Sequence, residues 1–495
     1  MENIAEYLKA ERSQEWRAEI RKSIKTKERI GKVRTSMPEE DPNVRNKSNI
    51  EVNTGLTFDQ AVAEAQRCID CPDPTCITGC PVGINIPKFI KKIETKDILG
   101  AAAVLKETNG LPAVCGRVCP QEKQCEANCF YTKKMGAIPV AIGFLERFAA
   151  DYERNSGKAS IPKTAKANKI KVAVIGSGPA GLAAAGDLAK FGYDVTVFEA
   201  LHEIGGVLKY GIPEFRLPNE IVDFEIDNLR EMGVKFITNF IVGKTSSFDE
   251  LRSQGFKAFF VGSGAGLPRF MNIPGENFNG IFSSNEYLTR VNLMNAADPE
   301  YDTPVISGNL VAVIGGGNTA MDSVRTAKRL GAERSMIIYR RSEEEMPARV
   351  EEVIHAKEEG IEFMNLHNPL EYYADEDGRV NKMKIQKMEL GEPDSSGRRR
   401  PVPIEGSEFI IDVDTVVVSV GVSPNPLIPA SLPDLKVTRW GTIVVDEETM
   451  QSSVPDLFAG GDIVRGGATV ILAMGDGRVA ASGMHKYIQK KIQAN

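Results

Sequence analysis

Short, mostly apolar runs recur along this chain and are separated by segments with helical periodicity. Four of the runs, at residues 172–175, 195–198, 311–314 and 336–339, are rich in valine and isoleucine. Apolar runs of this length are typical of parallel strands buried on both faces, and the helical segments between them would cover such a sheet. The pattern therefore predicts an α/β protein built from strand–helix–strand units.

The first of these units carries a glycine-rich turn between its strand and its helix. Residues 171–181 are KVAVIGSGPAG, with the G-x-G-x-x-G spacing of a dinucleotide-binding site. The first glycine permits a tight turn, the second lets the backbone approach a pyrophosphate, and the third lets helix and strand pack closely. Glu199 ends the next strand, where a carboxylate can hold a ribose hydroxyl. The residues predicted to bind the phosphates are Gly176, Gly178, Pro179, Ala180 and Gly181.

A second unit, NLVAVIGGGNTAMD at residues 309–322, has the Gly/Ala variant of this pattern and begins it with Gly315 and Gly317. Its next strand ends in Arg340 and Arg341, where the first unit has an acid. A guanidinium group binds phosphate through two parallel hydrogen bonds, which suits the 2′-phosphate that distinguishes NADP from NAD. We therefore predict FAD at the first turn and NADP(H) at the second.

A third signal lies near the end of the chain. The segment TMQSSVPDLFAGGDIV predicts a strand that leads to Asp462, and a helix is predicted to begin near Thr469. An aspartate and a helix N-terminus in these places suit the ribityl chain and the N1–C2=O edge of a flavin. Because this strand follows the second turn, we predict two Rossmann-like domains, with the nicotinamide domain inserted into the flavin domain. The expected boundaries are 1–165 for a helical domain, 166–302 and 440–495 for the FAD domain, and 303–439 for the NADP(H) domain.

Two other stretches are predicted from their patterns alone. The segments KMKIQKMEL and EFIIDVDTVVVSVG alternate apolar and polar residues, so antiparallel strands are expected there, with GEPDSSGRRRP as a turn between them. Residues 1 to about 35 are predicted to form a charged, solvated helix, followed by an extended linker interrupted by Pro38 and Pro42.

The composition is that of an ordinary globular protein, with 42% hydrophobic and 26% charged residues in a chain of 495. A net charge of −6 gives no electrostatic reason to expect nucleic acid or an anionic membrane as a partner. No apolar run approaches the ~20 residues that span a bilayer, and the opening segment lacks the apolar core of a signal peptide. We therefore expect a cytoplasmic protein in which disulfides do not form.

All eight cysteines lie between residues 68 and 129, in two groups whose spacing indicates metal ligation. The groups are Cys68-x2-Cys71-x4-Cys76-x3-Cys80-Pro81 and Cys115-x3-Cys119-Pro120-x4-Cys125-x3-Cys129. The Cys-Pro pairs resemble those of bacterial ferredoxins, in which the last cysteine of one group ligates the other cluster. Zinc is the competing interpretation, but only Cys68 and Cys71 have the spacing of a zinc knuckle. Two [4Fe–4S] clusters in a helical domain are favoured, and zinc stays open.

Together these motifs resemble the small subunit of NADPH-dependent glutamate synthase. The same family includes the large subunit of NADH-dependent ferredoxin:NADP oxidoreductase and the N-terminal half of dihydropyrimidine dehydrogenase. The resemblance runs from about Met37 to the C-terminus and rests on the cysteine spacing together with GSGPAG, GGVLKYGIPEFRLP, GGGNTAMD, YRRSEEEMPAR and FAGGDIVRG. Within it, AVCGRVCPQEKQCEANC and PVAIGFLERF are closest to the ferredoxin:NADP branch.

The resemblance implies which residues hold each cofactor. It assigns one cluster to Cys68, Cys71, Cys76 and Cys129, and the other to Cys80, Cys119, Cys125 and Glu146. Counting cysteines alone would instead make Cys115 the eighth ligand. For the flavin the resemblance adds Gly206, Arg216, Val242, Asp462 and Thr469, and for NADP it adds Asn318, Thr319 and Gly421 to the glycines and arginines named above.

The implied activity is that of an NADP-dependent oxidoreductase in which electrons pass from NADPH through FAD to the clusters and then to a partner. In glutamate synthase the partner would be a large subunit that completes glutamate biosynthesis. In ferredoxin:NADP oxidoreductase it would be a small flavin and [2Fe–2S] subunit, with ferredoxin as a further partner and electron pairs split at the flavin. No side chain is expected to act as a catalytic acid or base, because hydride transfer requires none. An interpretation of another class is a zinc-stabilised scaffold with vestigial nucleotide sites.

Overall fold

A computed structural model describes residues 4–306, 308–394 and 397–494. The N-terminal region is helical, as predicted for the cysteine-rich domain. Its helices are α1 (Ile4–Ser13), α2 (Glu15–Ser23), α3 (Thr26–Ile30), α4 (Pro42–Arg45), α5 (Phe58–Ala65), α6 (Thr75–Thr78), α7 (Ile86–Glu94), α8 (Ile98–Lys106), α9 (Pro112–Val118), α10 (Phe130–Met135) and α11 (Ile142–Ser156), with a 3-10 turn at Gln121–Lys123.

The first thirty residues differ from the prediction of one solvated helix. They form α1, α2 and α3, and the side chains of Arg17 and Arg29 are both only 2% exposed. The prediction was wrong because these arginines are buried by ion pairs with distant residues, and a scarcity of apolar residues in the sequence does not reveal such burial.

The flavin-type sheet is parallel, and its strands lie in the order β16 (Leu457–Ala459), β4 (Phe259–Val261), β1 (Lys171–Ile175), β2 (Asp194–Phe198) and β3 (Lys235–Ile237). The first chain segment of this region supplies β1 (Lys171–Ile175), α12 (Pro179–Lys190), β2 (Asp194–Phe198), α13 (Val207–Tyr210), α14 (Asn219–Glu231), β3 (Lys235–Ile237), α15 (Phe248–Ser253) and β4 (Phe259–Val261), followed by β5 (Leu267–Pro268), which lies outside this sheet. The next chain segment contains β6 (Ile281–Ser283), α16 (Ser284–Asn292), β7 (Leu310–Ile314), α17 (Asn318–Arg329), β8 (Arg334–Tyr339), α18 (Val350–Glu358), β9 (Glu362–Asn365), β10 (His367–Ala374), β11 (Val380–Pro393), β12 (Arg399–Pro403), β13 (Phe409–Asp412), β14 (Thr415–Val418), β15 (Val422–Ser423) and α19 (Leu427–Ser431). Of these strands, β10, β11, β12 and β13 form a separate antiparallel sheet, and β15 pairs with β5. The chain then returns to the first sheet through β16 (Leu457–Ala459), α20 (Asp462–Arg465) and α21 (Val470–Ala494).

The second parallel sheet has the order β6-β14-β7-β8-β9. Because β6 pairs with β14, residues 281–283 belong to this sheet, although the sequence placed the domain boundary at residues 302 and 303. The sequence Ile-Phe-Ser at residues 281–283 is too short to show a periodicity, and no turn motif beside it indicates which sheet it joins. Its membership is decided by a partner more than 130 residues further along the chain.

The segment EFIIDVDTVVVSVG is not one antiparallel unit. Its first part, β13, pairs antiparallel with β11, whereas β14 pairs parallel with β7. All residues of β14 are buried, so TVVV is a central strand covered on both faces, while β13 alternates between partly buried and exposed positions. The chain changes sheet at Asp414, whose carboxylate accepts hydrogen bonds from the backbone N–H groups of Asn309 and Leu310.

The helical domain and the flavin-type sheet share one hydrophobic core. This core joins Leu105, Leu111 and Val114 of the helical domain to Leu182 of α12 and Met474 of α21. Among the described helices, none combines the length and the apolar character needed to cross a bilayer. The continuous core fixes the position of the cysteines relative to α12 and α21, which carry the flavin-type motifs.

Candidate functional site

The first glycine turn has the geometry of a pyrophosphate cradle. The N–H of Gly176 donates to the carbonyl of Phe198 over 2.8 Å, so the turn lies beside the end of β2. Gly176 has φ +95°, and a Cβ there would lie 2.6 Å from the carbonyl oxygen of Gly262, so a glycine is required. Gly178 caps α12, and among the described residues no atom lies within 4 Å of its Cβ position. This open space at the positive end of a helix dipole fits an anion.

Glu199 is fixed at the end of β2 by residues that the sequence analysis did not single out. One carboxylate oxygen accepts hydrogen bonds from the backbone N–H and the hydroxyl of Ser177, at 2.8 and 2.6 Å, and the other accepts from the N–H of Leu201 at 2.9 Å. The Ser177 hydroxyl also accepts from the N–H of Gly205. A Cβ at Gly206 would lie 3.0 Å from the Cα of Gly178. Two motifs predicted separately to bind FAD therefore form one wall of the cradle.

Asp462 and Thr469 lie where the chain returns to this sheet. Burial raises the pKa of Asp462, and the nearby carboxylate of Asp476 adds to the effect. The Thr469 hydroxyl accepts a hydrogen bond from the N–H of Leu472 at 3.4 Å and so caps the first turn of α21. Burial raises the pKa of Tyr210 to about 12, with further contributions from Asp462 and Glu199. Tyr210 therefore lies near Asp462 and Glu199, and it was not among the residues predicted to bind the flavin.

Two further predicted flavin residues have different surroundings. Val242 is 3% exposed and lies in the core on one side of the first sheet. Arg216 points to the second sheet domain, where its guanidinium pairs with Asp322 at 2.6 Å and with Glu352 at 3.3 Å. Although burial opposes the charged form, these carboxylates raise the pKa of Arg216. Its contact with FAD stays a prediction.

The second glycine turn is held by the segment YRRSEEEMPAR. A Cβ at Gly315 would overlap the carbonyl oxygen of Ser419, so this turn too is packed against backbone. The N–H of Ala348 donates to the carbonyl of Gly316 at 3.2 Å, and the side-chain oxygen of Asn318 accepts from the N–H of Arg349 at 2.8 Å. Two motifs of the predicted NADP site are thereby joined.

The remaining predicted NADP residues border this turn from two sides. Gly317 caps α17, whose first turn contains the exposed Thr319. Gly421 follows β14, and its carbonyl accepts from the N–H of Arg269 at 3.0 Å. The helix N-terminus offers the same kind of anion-binding position as α12 in the first domain.

Arg340 and Arg341 follow β8 but are not equivalent. Arg341 is 6% exposed and donates to the carbonyl of Arg399 at 2.8 Å. It also pairs with Asp394 at 2.6 Å. Arg340 is exposed, and its side chain forms no hydrogen bond or ion pair with the described part of the chain. Arg340 is therefore the cation available to a 2′-phosphate, whereas Arg341 fixes the β11–β12 hairpin.

Site A comprises Cys68, Cys71, Cys76 and Cys129, which line one cavity together with Ile86, Ile90 and Tyr131. Burial raises the pKa of Cys71 to about 12 and that of Cys76 well above its ordinary value, and the neighbouring cysteines add to both effects. Thiolates in this cavity therefore require a bound cation, as metal coordination provides. The structure brings together the four residues assigned to one cluster.

Site B comprises Cys80, Cys119, Cys125 and Glu146. Burial raises the pKa of Cys80 to about 11 and that of Cys125 well above its ordinary value, while a hydrogen bond with Cys115 and burial together raise the pKa of Cys119. The Glu146 carboxylate adds to each of these shifts. Burial also raises the pKa of Glu146 to about 8, and the side-chain amide of Asn109 donates to this carboxylate at 2.7 Å.

Cys115 is buried beside site B. Its thiol donates to the Asn109 side-chain oxygen at 3.6 Å, and its Sγ lies 3.5 Å from the Sδ of Met474. Cys115 therefore contacts both the residue that holds Glu146 and the flavin-type helix α21. The structure brings both candidates for the eighth ligand to one place, and the assignment of Glu146 stays a prediction.

The spacing of the sulfur atoms argues against a mononuclear zinc site. Zinc–sulfur bonds of about 2.3 Å place tetrahedral thiolates about 3.8 Å apart. Among the described residues, no three cysteine Sγ atoms all lie within 4.8 Å of one another. A four-iron cluster places iron and sulfide between its ligands and so accepts a wider spacing. Sites A and B therefore fit clusters better than single ions.

Comparison with known proteins agrees with this geometry. Residues 45–158 match the family model of dihydropyrimidine dehydrogenase domain II, 4Fe-4S cluster, and residues 170–477 match the pyridine nucleotide-disulphide oxidoreductase model. The chain is 37% identical to the glutamate synthase [NADPH] small chain of Azospirillum brasilense, over 94% of this chain and 97% of that one. The chain belongs to the glutamate synthase small-chain family.

Other relatives of this family have different names. The β subunit of an NADP(+)-dependent formate dehydrogenase from Moorella thermoacetica is 38% identical over 84% of this chain and 60% of its own length. A solved structure of Mycobacterium tuberculosis FprA in complex with NADPH has a TM-score of 0.55 at 20% identity, over 66% of this chain and 86% of that chain, and so shares the fold. The predicted fold class, the iron–sulfur, FAD and NADP cofactors and the NADP-dependent oxidoreductase class are confirmed. The zinc-scaffold interpretation is not supported.

Proposed function

We propose that this chain is the electron-input subunit of a glutamate synthase, in which it oxidises NADPH and supplies electrons to a large partner subunit. The observation that carries the proposal is the match over nearly the whole glutamate synthase small chain, with both cluster sites and both glycine turns present. The match to the formate dehydrogenase subunit covers much less of that relative, which contains additional sequence.

The contact between the helical domain and α21 supports electron transfer within the chain. A Cβ at Gly475 would lie 3.1 Å from the carbonyl oxygen of Pro81, the residue after Cys80 of site B. Cys115 and Met474 are in contact beside it. Site B thus lies against the helix whose N-terminus is proposed to face the flavin. In this proposal site B is the first cluster to receive electrons, and site A passes them to the partner.

Each group of residues has a binding role in this proposal. When bound, nicotinamide and flavin supply hydride chemistry and the clusters supply one-electron chemistry. The N-terminus of α12 holds the FAD pyrophosphate, and Glu199 accepts a hydrogen bond from the adenosine ribose. Arg340 binds the 2′-phosphate of NADPH. The cysteines of sites A and B, with Glu146, hold the clusters, and the reduced thiols that they require suit the cytoplasm.

The experiment that tests the proposal is purification of the native complex under anaerobic conditions, followed by identification of the associated chain. A large subunit with a glutaminase domain is the expected result. A small flavin and [2Fe–2S] subunit would contradict it and establish the ferredoxin:NADP oxidoreductase function instead. The same preparation should contain one FAD and about eight iron atoms per copy of this chain. Stoichiometric zinc without iron would contradict both functions.

A further inference from the structure

The N-terminal helices α1, α2 and α3 are attached to the ligand loop of site A. Asp70 lies between Cys68 and Cys71, is 0% exposed and has φ +52°, a conformation that aspartate adopts more readily than most residues. Its two carboxylate oxygens pair with Arg17 and with Arg21, the latter at 2.6 Å. The loop is therefore held by charges that come from α2.

The backbone of the same loop is bound as well. The Nε of Arg12 donates to the carbonyl of Asp70 at 2.8 Å. One guanidinium nitrogen of Arg29 donates to the carbonyl of Gln66 at 2.8 Å, and Lys91 donates to the carbonyl of Cys68. Arginines from α1, α2 and α3 thus contact Asp70, which lies between the proposed ligands Cys68 and Cys71, and the backbone just before Cys68.

These contacts make the surroundings of site A cationic. The charged groups that contact the ligand loop or pair with one another around site A are of two kinds. The cations are Arg12, Arg17, Arg21, Arg29 and Lys91, and the carboxylates are Asp70 and Glu94. With the exposed Asp73 of the same loop counted as a third carboxylate, five cations still exceed the carboxylates by two.

We propose that α1, α2 and α3 act as a positioning clamp that sets the reduction potential of the cluster at site A. Reduction adds one electron to a cluster, and nearby positive charge stabilises the reduced form. The clamp therefore raises the potential at site A and favours reduction of this cluster, which in the proposed function passes electrons to the partner. The inference rests on the proposed assignment of Cys68 and Cys71 to a cluster, and it gives a role to the N-terminal residues that the family resemblance does not cover.

The test uses the full-length chain with its cofactors and compares Arg21→Gln with Arg21→Lys. Two arginines, Arg17 and Arg21, pair with Asp70. The Arg21 side chain is 21% exposed and that of Arg17 is 3% exposed, so replacement of Arg21 disturbs the fold less. Redox titration followed by electron paramagnetic resonance gives the midpoint potential of each cluster, and iron analysis gives occupancy. A Cys71→Ser variant identifies the component that belongs to site A. Arg230→Gln removes an exposed arginine of the flavin-type domain and is the control.

The clamp predicts that Arg21→Gln retains its iron and lowers the site A potential. At the solution potential that half-reduces site A in the wild type, its ratio of reduced to oxidised cluster should fall at least about threefold, while site B is unchanged. Arg21→Lys should restore the wild-type ratio. If Arg21→Gln loses iron, Arg12→Gln provides the same measurement, because the hydrogen bond of its side chain to the loop goes to a backbone carbonyl and not to the Asp70 carboxylate.

Two outcomes would overturn the inference. Unchanged potentials in both glutamine variants would show that the clamp does not tune the cluster, and an Arg21→Lys variant with the same potential as Arg21→Gln would show that charge is not the cause. A Cys71→Ser variant that keeps all its iron would instead refute the ligand assignment of site A. This last result would leave the NADPH and FAD sites of the proposed function untouched, so the two failures are distinguishable.

Discussion

Arg340 and Arg341, the two adjacent arginines after β8, differ in burial and therefore in the partners that their side chains can bind. The sequence places Arg340 and Arg341 together as candidates for the 2′-phosphate. In the fold, the guanidinium of Arg341 is committed to Asp394 and the Arg399 carbonyl, whereas Arg340 is exposed. Cofactor selectivity is therefore expected to depend on Arg340.

Replacement of Arg340 by alanine should raise the KM for NADPH about tenfold or more and leave the KM for NADH nearly unchanged. The reason is that a charge-assisted hydrogen bond to phosphate contributes about 1.5–3 kcal/mol, and about 1.4 kcal/mol corresponds to a factor of ten. Steady-state kinetics with both nucleotides measure the effect, with the exposed Arg379 replaced by alanine as the control. Equal changes for NADPH and NADH would show that Arg340 does not bind the 2′-phosphate.

Glu146 and Cys115 are the two candidates for the eighth cluster ligand, and Asn109 contacts both. Glu146→Ala should lower the iron content by about half, from about eight to about four atoms per chain, and leave FAD bound. Cys115→Ala should keep both clusters, since its thiol donates to an amide oxygen. Iron and flavin analysis of the two purified variants decides the matter. The reverse pattern of iron loss would make Cys115 the ligand.

At the scale of elements, the sequence predicted what depends on local patterns. The glycine turns at Gly176 and Gly315, the strands before them and the helices after them are specified by neighbouring residues, and the structure has them in place. The segment between the two cysteine groups, residues 86–109, has the periodicity of a helix. It forms α7 and α8, because the Asp97 side chain accepts from the N–H of Gly100 and starts a second helix.

Elements that depend on distant partners were not predicted correctly. The strand β6 joins the second sheet through β14, and β14 leaves the antiparallel pattern of β13 to pair with β7. In the same way, Arg17 is buried by an aspartate 53 residues away, and Asn109 reaches Glu146 across 37 residues. The hydrophobic periodicity of ten or twenty neighbouring residues cannot indicate which distant residue will be the partner.

At the scale of the whole molecule, a buried ion-pair network joins the three domains. Arg325 and Arg329 of α17 pair with Glu359 at 2.8 and 2.7 Å. Arg45 of the helical domain pairs with Glu359 at 3.2 Å. Arg216 of the flavin-type domain pairs with Glu352. Although burial opposes the charged form, the arginines hold the pKa values of Glu352 and Glu359 at about 2.

Glu359→Gln should therefore lower the free energy of unfolding by about 3 kcal/mol at pH 7, because it leaves buried arginines without a partner. A carboxylate whose folded pKa is depressed contributes stability above its unfolded pKa, about 4.3, and this stability is lost as the pH falls toward about 2. The difference between wild type and variant should thus narrow below about pH 4.3. Denaturant unfolding at a series of pH values measures it.

The control for this network is Glu362→Gln, which breaks an exposed pair with Arg334. An exposed ion pair contributes less than about 1 kcal/mol, so this variant should stay close to the wild type. A difference for Glu359→Gln that is constant with pH would show that the carboxylate charge is not the source of the stability.

The central claim is that electrons from NADPH reach site A through the flavin and site B. The most direct test is anaerobic mixing of the cofactor-loaded chain with NADPH, with flavin absorbance and the cluster resonance signals followed in time, in the wild type and in Cys125→Ser. The wild type should lose flavin absorbance first and then show a reduced cluster at site A. In Cys125→Ser, with site B empty, the flavin should still be reduced and site A should stay oxidised. Reduction of site A at the wild-type rate in this variant would contradict the account.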